Sequence, residues 1–183
     1  MAEVPTPLHL RSATADDAAA CSEIYAPYVI GTCISFEVEP PTPFQFEERI
    51  NDAQASHEWL VAECEGKVVG YAYGHQFNER SSYRWSVETS IYLAQDQQCQ
   101  GIGRSLYELL LTRLGEQGYR RAFAGITLPN DASIGLHRSL GFDDAGCYRR
   151  VGWKHGAWHD VAWMQRDLQS DGVDPPPNPF ARR

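Results

Sequence analysis

Residues 98–104 place the strongest constraint on the fold, because two glycines stand there between a strand-like and a helix-like segment. The stretch reads Gln-Cys-Gln-Gly-Ile-Gly-Arg, after a β-rich run that ends at Leu93 and before an apolar helical stripe. Glycine lets the backbone approach a ligand closely. The free N–H groups of a first helical turn, with the helix dipole, favour phosphate. The sequence therefore predicts an anion site here, with plain chain reversal as the alternative.

The glycine spacing fits neither of two common nucleotide motifs. A dinucleotide fingerprint needs a third glycine where this chain has Leu106. A P-loop needs Gly-Lys-Ser or Gly-Lys-Thr, whereas the chain has Gly103, Arg104 and Ser105. The remaining Gln-x-x-Gly-x-Gly pattern leaves the identity of the anion to be decided by the rest of the chain.

The length and charge of the chain limit its class. Its 183 residues suit one domain, predicted as residues 1–169, followed by a Pro-rich tail at residues 170–183. A net charge of -8 and a pI near 5.2 argue against nucleic acid or an anionic membrane as a partner. Without an apolar run of membrane-spanning length or a signal-peptide pattern, we expect a soluble, cytoplasmic protein.

The five cysteines are odd in number and stand singly along the chain: Cys21, Cys33, Cys64, Cys99 and Cys147. They lack the Cys-x-x-Cys and Cys/His spacings that hold zinc. The sequence therefore indicates neither a disulfide framework nor a metal site, and we expect the thiols to be reduced.

Local patterns predict a mixed α/β fold with one central sheet and helices on both faces. The predicted strands are residues 9–11, 34–38, 59–63, 67–73, 85–93, 119–128, 149–151 and 160–164, with a long turn over 152–158. The predicted helices begin after Thr14, after Thr42, near Gly103 and after Pro129. In the strand at 85–93, Val87 and Thr89 alternate with Glu88 and Ser90, which places the two pairs on opposite faces.

Four ordered blocks resemble phosphinothricin N-acetyltransferases of the GNAT superfamily. They are residues 88–93, the glycine loop, residues 128–142 and residues 152–161. The resemblance covers nearly the whole chain and implies a GNAT fold. It also implies a homodimer that transfers an acetyl group from acetyl-CoA to the α-amino group of a small amino acid analogue. Phosphinothricin, methionine sulfoximine and methionine sulfone are the acceptors that it suggests.

The resemblance assigns a set of cofactor-binding residues. The backbone of residues 91–93 would pair with the pantetheine arm, the glycine loop would hold the pyrophosphate, and two later residues would reach the pantetheine or the nucleotide. The set comprises Ile91, Tyr92, Leu93, Gln98, Cys99, Gln100, Gly101, Ile102, Gly103, Arg104, Asn130 and Ser139. The Cys99 thiol is interpreted as incidental, which implies direct transfer in a ternary complex.

Two residues are candidates for the chemistry. An ammonium group must lose a proton before it can attack a thioester, and the resemblance makes Glu88 the general base. Its alternative is a solvated glutamate on a strand face. His137 lies on a short predicted helix and belongs to a residue type that changes charge near neutral pH. It is the second catalytic candidate, and a histidine packed against a neighbour is its alternative.

The resemblance places the acceptor at a polar loop together with Glu88. The substrate-binding candidates are Phe36, Arg80, Ser81, Ser82 and Tyr83. Arg80 could bind a carboxylate through two parallel hydrogen bonds, or it could be an ordinary exposed arginine. Phe36 could equally be a core phenylalanine.

One departure from the family pattern concerns the acceptor, and two other functions remain open. Asn78 stands where phosphinothricin-modifying relatives often have lysine, which favours the less charged sulfone and sulfoximine.

The chain could acetylate another amine or antibiotic, which the retained residues 80–83 disfavour. It could also be a non-catalytic acyl-CoA-binding module, which the presence of both Glu88 and His137 disfavours.

Overall fold

One mixed sheet runs through the molecule. The computed structural model describes residues 8–97 and 101–169, and within them seven strands follow the order β1-β2-β3-β4-β5-β7-β6. The strands are β1 (Leu8–Ser12), β2 (Trp59–Cys64), β3 (Lys67–Gln76), β4 (Ser86–Leu93), β5 (Arg121–Thr127), β6 (Asp143–Lys154) and β7 (Ala157–Asp167). The helices are α1 (Ala18–Gly31), α2 (Pro43–Ser56), α3 (Ile102–Gln117) and α4 (Asp131–Ser139). The proposed tail at residues 170–183 lies outside the described residues.

The sheet divides where β4 meets β5. These two strands pair in parallel over three register positions, of which Glu88 and Phe123 form the last. Beyond that point β4 stays paired with β3 as far as Leu93, and β5 stays paired with β7 as far as Thr127. The two strands therefore separate after Glu88, and a cleft opens between the two halves of the sheet.

A hydrophobic core covers each face of the sheet. On one face, α3 buries Leu106, Leu110 and Leu114 completely against β2 to β5. On the other face, α1 and α2 pack against Trp59 and Tyr71. The predicted single sheet with helices on both faces is confirmed.

Two-residue turns join both long hairpins of the sheet. Glu65 and Gly66, with φ of 52° and 75°, join β2 to β3 as predicted. His155 and Gly156, with φ of 48° and 75°, join β6 to β7 in the same way. Positive φ at both turn residues matches the twist of the flanking strands, so the strands continue up to the turn. The prediction of a long turn over residues 152–158 was therefore wrong.

The predicted strand at residues 34–38 is also wrong, because the structure has a loop there. One distant and one local side chain bind the backbone polar groups that a sheet would need. The Ser35 carbonyl accepts a hydrogen bond of 2.7 Å from Lys154 Nζ, and the Glu37 N–H donates to Ser35 Oγ at 3.0 Å. Phe36 consequently lies on a loop, where its ring packs against Gly152 at the end of β6.

Lys154 fastens the β6–β7 hairpin to α1. Its side chain is buried, and Nζ donates to the carbonyls of Val29 at 2.6 Å and Ser35 at 2.7 Å. Val29 is in the last turn of α1, where carbonyls lack a partner inside the helix. The ammonium group thus satisfies a helix end and holds the loop that follows it.

We expect Lys154→Met to lower the free energy of unfolding by about 2 kcal/mol, because two buried carbonyls lose a charged donor. Urea unfolding followed by tryptophan fluorescence measures the change. Lys67→Met at the exposed start of β3 is the matched control. Equal stability of the two variants would contradict this role of Lys154.

Candidate functional site

A narrow cavity of about 50 Å³ lies between β4 and β5, and a larger cavity of about 290 Å³ adjoins it at the end of β4. The end of β4, the start of α3 and the start of α4 form the walls of the larger cavity. Its lining residues are Tyr28, Ile34, Ile91, Leu93, Gly101, Gly103, Arg104, Asn130, Ala132, Ser133 and Leu136. One cavity therefore brings together six residues of the predicted cofactor set.

The edge of β4 that faces β5 has no strand partner after Glu88, because the register between these strands ends there. Buried backbone groups require hydrogen bonds, and an extended ligand with amide groups can supply them as an added strand would. The far end of this edge is fixed, since Tyr28 Oη donates to the Leu93 carbonyl at 2.6 Å. Residues 89–93 are thus a rigid, open edge.

The start of α3 points its backbone N–H groups into this region. Gly101 is the N-cap in the left-handed conformation, with φ of 72°. Its carbonyl accepts from the Ser105 N–H at 3.2 Å, and the three preceding N–H groups of the helix lack intrahelical partners. Gly103 lets α3 approach β4, because a Cβ there would lie 3.0 Å from Leu93 Cδ1. This geometry suits an anion.

The other predicted cofactor residues occupy different positions. The side chain of Ile102 is buried in the core, and Tyr92 packs its ring against Tyr25 and Tyr28 on the opposite face of β4. Only the backbone of Tyr92 is thus placed to serve the cleft. Ser139 accepts a hydrogen bond of 3.1 Å from Arg104 at the exposed end of α4. Gln98, Cys99 and Gln100 lie outside the described residues.

Glu88 lies at the point where β4 and β5 separate. Its side chain is 26% exposed, and His75 on β3 stands directly opposite in the strand register. Burial raises the pKa of Glu88, and the nearby His75, whose Nε2 is 3.8 Å from Glu88 Oε1, lowers it in part. The carboxylate is therefore half-buried and has an ionisable neighbour, unlike a freely solvated glutamate.

His137 belongs to a buried chain of hydrogen bonds. Its Nδ1 donates to the Ser133 carbonyl at 2.7 Å, and its Nε2 lies 3.0 Å from Tyr107 Oη. The Tyr107 hydroxyl in turn lies 2.7 Å from Thr89 Oγ1. Burial lowers the pKa of His137 and so favours the neutral imidazole.

The structure places Glu88 and His137 on opposite faces of β4. His137 reaches Thr89 through Tyr107, and adjacent residues of a strand point to opposite faces. Glu88 thus shares its face with His75 and Tyr73 of β3. The two candidates therefore do not contact each other, and they could not act as one hydrogen-bonded pair.

The loop that was predicted to bind the acceptor is an exposed turn after β3. Arg80, Ser81 and Tyr83 line a separate cavity of about 290 Å³, together with His57 and Tyr119, whereas Ser82 is exposed. Glu88 does not line this cavity.

A series of aromatic rings connects the loop to Glu88. Tyr83 lies 5.8 Å from Phe77, and Phe77 stacks at 4.3 Å on Phe123, which pairs with Glu88 in the register. An acceptor that extends from Glu88 toward Arg80 would lie along these rings.

Sequence reasoning missed His75, Phe77, Thr89, Tyr107 and Phe123. Their roles arise from pairing between strands and from contacts between α3 and α4, which no local pattern reveals. The alternation of residues along the strand did predict that Thr89 and Glu88 point to opposite faces of the sheet. The alignment of His75 with Glu88, in contrast, depends on the β3–β4 register.

Residues 8–97 and 101–169 contain no cluster of three His, Cys, Asp or Glu side chains placed to hold a metal ion. Within the same ranges, every helix is too short or too polar to span a membrane.

Comparisons with known proteins agree with this geometry. The family model described as an acetyltransferase (GNAT) domain matches residues 10–163. The phosphinothricin N-acetyltransferase of Streptomyces viridochromogenes is 40% identical over 94% of this chain and 93% of its own. The L-methionine sulfoximine/L-methionine sulfone acetyltransferase of Pseudomonas paraeruginosa is 34% identical over 76% of this chain and 83% of its own.

A solved structure has the same fold. The crystal structure of a GNAT superfamily phosphinothricin acetyltransferase from Sinorhizobium meliloti, in complex with acetyl-CoA, is 37% identical. It covers 92% of this chain and 96% of its own, with a TM-score of 0.84. The chain belongs to the GNAT family of N-acetyltransferases.

We predict that neutral His137 makes stability depend on pH. Its folded-state pKa lies below the unfolded value of about 6.5, so the unfolded chain binds the proton first. The stabilisation is complete above that pH and is lost as the pH falls toward the folded-state pKa. Between about pH 6.5 and 5, the free energy of unfolding should therefore fall less for His137→Asn than for the wild-type protein.

Urea unfolding at a series of pH values measures this slope. His9→Asn, at an exposed position on β1, is the control and should keep the full slope. A slope in His137→Asn equal to that of the control would show that His137 does not titrate differently in the folded protein.

Proposed function

We propose that the chain transfers the acetyl group of acetyl-CoA to the α-amino group of a small amino acid analogue. The acceptor belongs to the phosphinothricin, methionine sulfoximine and methionine sulfone class named for the relatives. The observation that carries this proposal is the half-buried Glu88 at the inner end of an open strand edge. An acetyl group held along that edge and an amine beside Glu88 would meet at this point.

In this mechanism Glu88 is the general base in a ternary complex. Its carboxylate takes a proton from the acceptor ammonium, and the free amine attacks the thioester carbonyl. The new C–N bond forms as the C–S bond breaks, and coenzyme A leaves as the thiolate. The burial that raises the pKa of Glu88 makes it a better proton acceptor than a solvated carboxylate. A covalent acetyl-cysteine is not required. Cys21, the buried cysteine, is unsuited to that role because burial raises its pKa to about 12.

We assign acetyl-CoA to the cleft. The exposed guanidinium of Arg104 and the free N–H groups at the start of α3 would bind the pyrophosphate, and residues 91–93 would pair with the pantetheine amides. Asn130 lines the same cavity from the start of α4. Apart from Tyr28, Arg104 and Asn130, the residues that line this cavity are apolar or small, which suits the pantetheine arm.

His137 has a positioning role in this proposal. Through Tyr107 it holds Thr89, the residue that follows Glu88 at the point where the strands separate. Thr89 Oγ1 also lies 3.1 Å from the Phe123 carbonyl, so its single O–H has two possible acceptors, Tyr107 Oη and this carbonyl of β5. The chain of hydrogen bonds thus fixes the backbone on which Glu88 stands.

We expect Glu88→Gln to lower kcat/KM for the acceptor by about 10²- to 10⁴-fold, because the amide cannot accept the proton. The dissociation constant of acetyl-CoA should stay within about twofold, since Glu88 lies outside the cofactor cavity. Thiol release measures the rate, and calorimetry measures the affinity. Glu47→Gln, at an exposed position on α2, is the control. Turnover in Glu88→Gln equal to the control would remove Glu88 from the mechanism.

We further expect methionine sulfone and methionine sulfoximine to be better acceptors than phosphinothricin, because Asn78 provides no charge for the additional acid group. Thiol release with the three compounds tests the order.

Arg80→Ala should raise the acceptor KM about tenfold or more by removing a carboxylate ligand, with KM for acetyl-CoA unchanged. Arg138→Ala is the control. Cofactor binding without thiol release from any amine would instead favour the acyl-CoA-binding module.

We also propose that the chain forms a homodimer through β6. This edge strand is 12 residues long and exposes Tyr148, Val151 and Trp153, with Trp158 opposite on β7. A long exposed apolar edge favours pairing with another chain. Light scattering should give twice the mass of one chain, and Trp153→Lys should shift the population toward the monomer. A monomeric wild-type protein would contradict the proposal.

A further inference from the structure

Acetylation of an amine releases a proton that must leave the site. An ammonium nitrogen loses two protons when it becomes an amide, and the departing thiolate takes up one. Each turnover of ammonium and acetyl-CoA to amide and thiol therefore leaves one proton. In the proposed function that proton is on Glu88, which must lose it before the next acceptor can be deprotonated.

The side chain nearest to Glu88 that can accept this proton is His75. The two residues are directly opposite across the antiparallel β3–β4 pair, with their side chains on the same face. His75 Nε2 lies 3.8 Å from Glu88 Oε1, a gap that a small side-chain rotation closes. The exposed fraction rises from 26% at Glu88 to 40% at His75, so the pair leads from the interior toward solvent.

His75 also lines a cavity on its outer side. This cavity, of about 310 Å³, lies between α2 and β3, and Arg49, Asp52, Tyr73 and Gln76 are among its lining residues. Glu88 does not line it. His75 thus lies between the Glu88 carboxylate and this outer cavity.

Four other ionisable groups near this pair are poorly suited or poorly placed to accept the proton. Burial raises the pKa of Tyr73 on β3 and of Tyr107 on α3, so both phenols stay protonated and neutral. Arg49 on α2 is a cation paired with Glu37 at 2.8 Å. Asp52 is exposed at the outer cavity, beyond His75. Within the described residues, the imidazole is the base that adjoins Glu88.

We propose that His75 is the outlet through which Glu88 passes the acceptor's proton to solvent. The O–H bond of the Glu88 carboxylic acid breaks, an N–H bond forms at Nε2 of His75, and the electron pair of the former bond stays on the carboxylate. The imidazolium then gives the proton to water or buffer, so both residues return to their starting states. No oxidant or other reactant takes part.

This inference rests on the proposed role of Glu88. It does not place His75 in contact with either substrate. His75 would act on the recovery of Glu88, so its loss should affect kcat more than the acceptor KM.

Imidazole rescue of His75→Ala tests the outlet. In dilute buffer at saturating substrates we expect kcat to fall by about tenfold, less than the loss of a direct general base causes. Added imidazole should restore kcat to within about twofold of wild type, while the acetyl-CoA dissociation constant and Tm stay unchanged. His9→Ala, at an exposed position on β1, is the control and should show neither the loss nor the response to imidazole.

The outcomes separate the outlet from the proposed function. A kcat for His75→Ala equal to that of His9→Ala, or a loss that imidazole does not restore, would overturn the outlet. If Glu88→Gln is impaired at the same time, Glu88 remains the base and only the outlet fails. If Glu88→Gln keeps wild-type turnover, the proposed role of Glu88 fails, and the outlet fails with it.

Discussion

The proposed binding and reaction sites both depend on the separation of β4 from β5 after Glu88. Up to that residue the strands pair in parallel, and beyond it each remains paired with its other neighbour. The separation creates an unpaired strand edge inside the protein, where a ligand with amide groups can complete the hydrogen bonding. The N–H groups at the start of α3 lie at one end of this edge, and Glu88 lies at the other end.

The two faces of β4 give neighbouring residues different chemistry. On one face, His137, Tyr107 and Thr89 form a buried hydrogen-bonded chain in which the imidazole is held neutral. On the other face, Glu88 lies in a partly exposed site beside His75. In the proposed mechanism the first arrangement positions the backbone, and the second takes up and releases a proton. The alternation of side chains along one strand would then separate positioning from proton transfer.

Local sequence signals predicted the elements that depend on local physics. The Glu65-Gly66 turn, the cap of α2 at Thr42 and the start of α3 near Gly103 follow from turn and capping preferences. The strand at residues 34–38 was wrong because Lys154, 119 residues away, binds the Ser35 carbonyl. His75 was missed as a neighbour of Glu88 because the register between β3 and β4 leaves no trace in either segment.

The central claim is that the open edge of β4 binds acetyl-CoA, and hydrogen–deuterium exchange tests it most directly. With saturating acetyl-CoA we predict slower amide exchange at residues 89–93 and 101–104, and unchanged exchange in β1 at the far edge of the sheet. Unchanged exchange at residues 89–93 while acetyl-CoA is bound would contradict the claim and place the cofactor elsewhere.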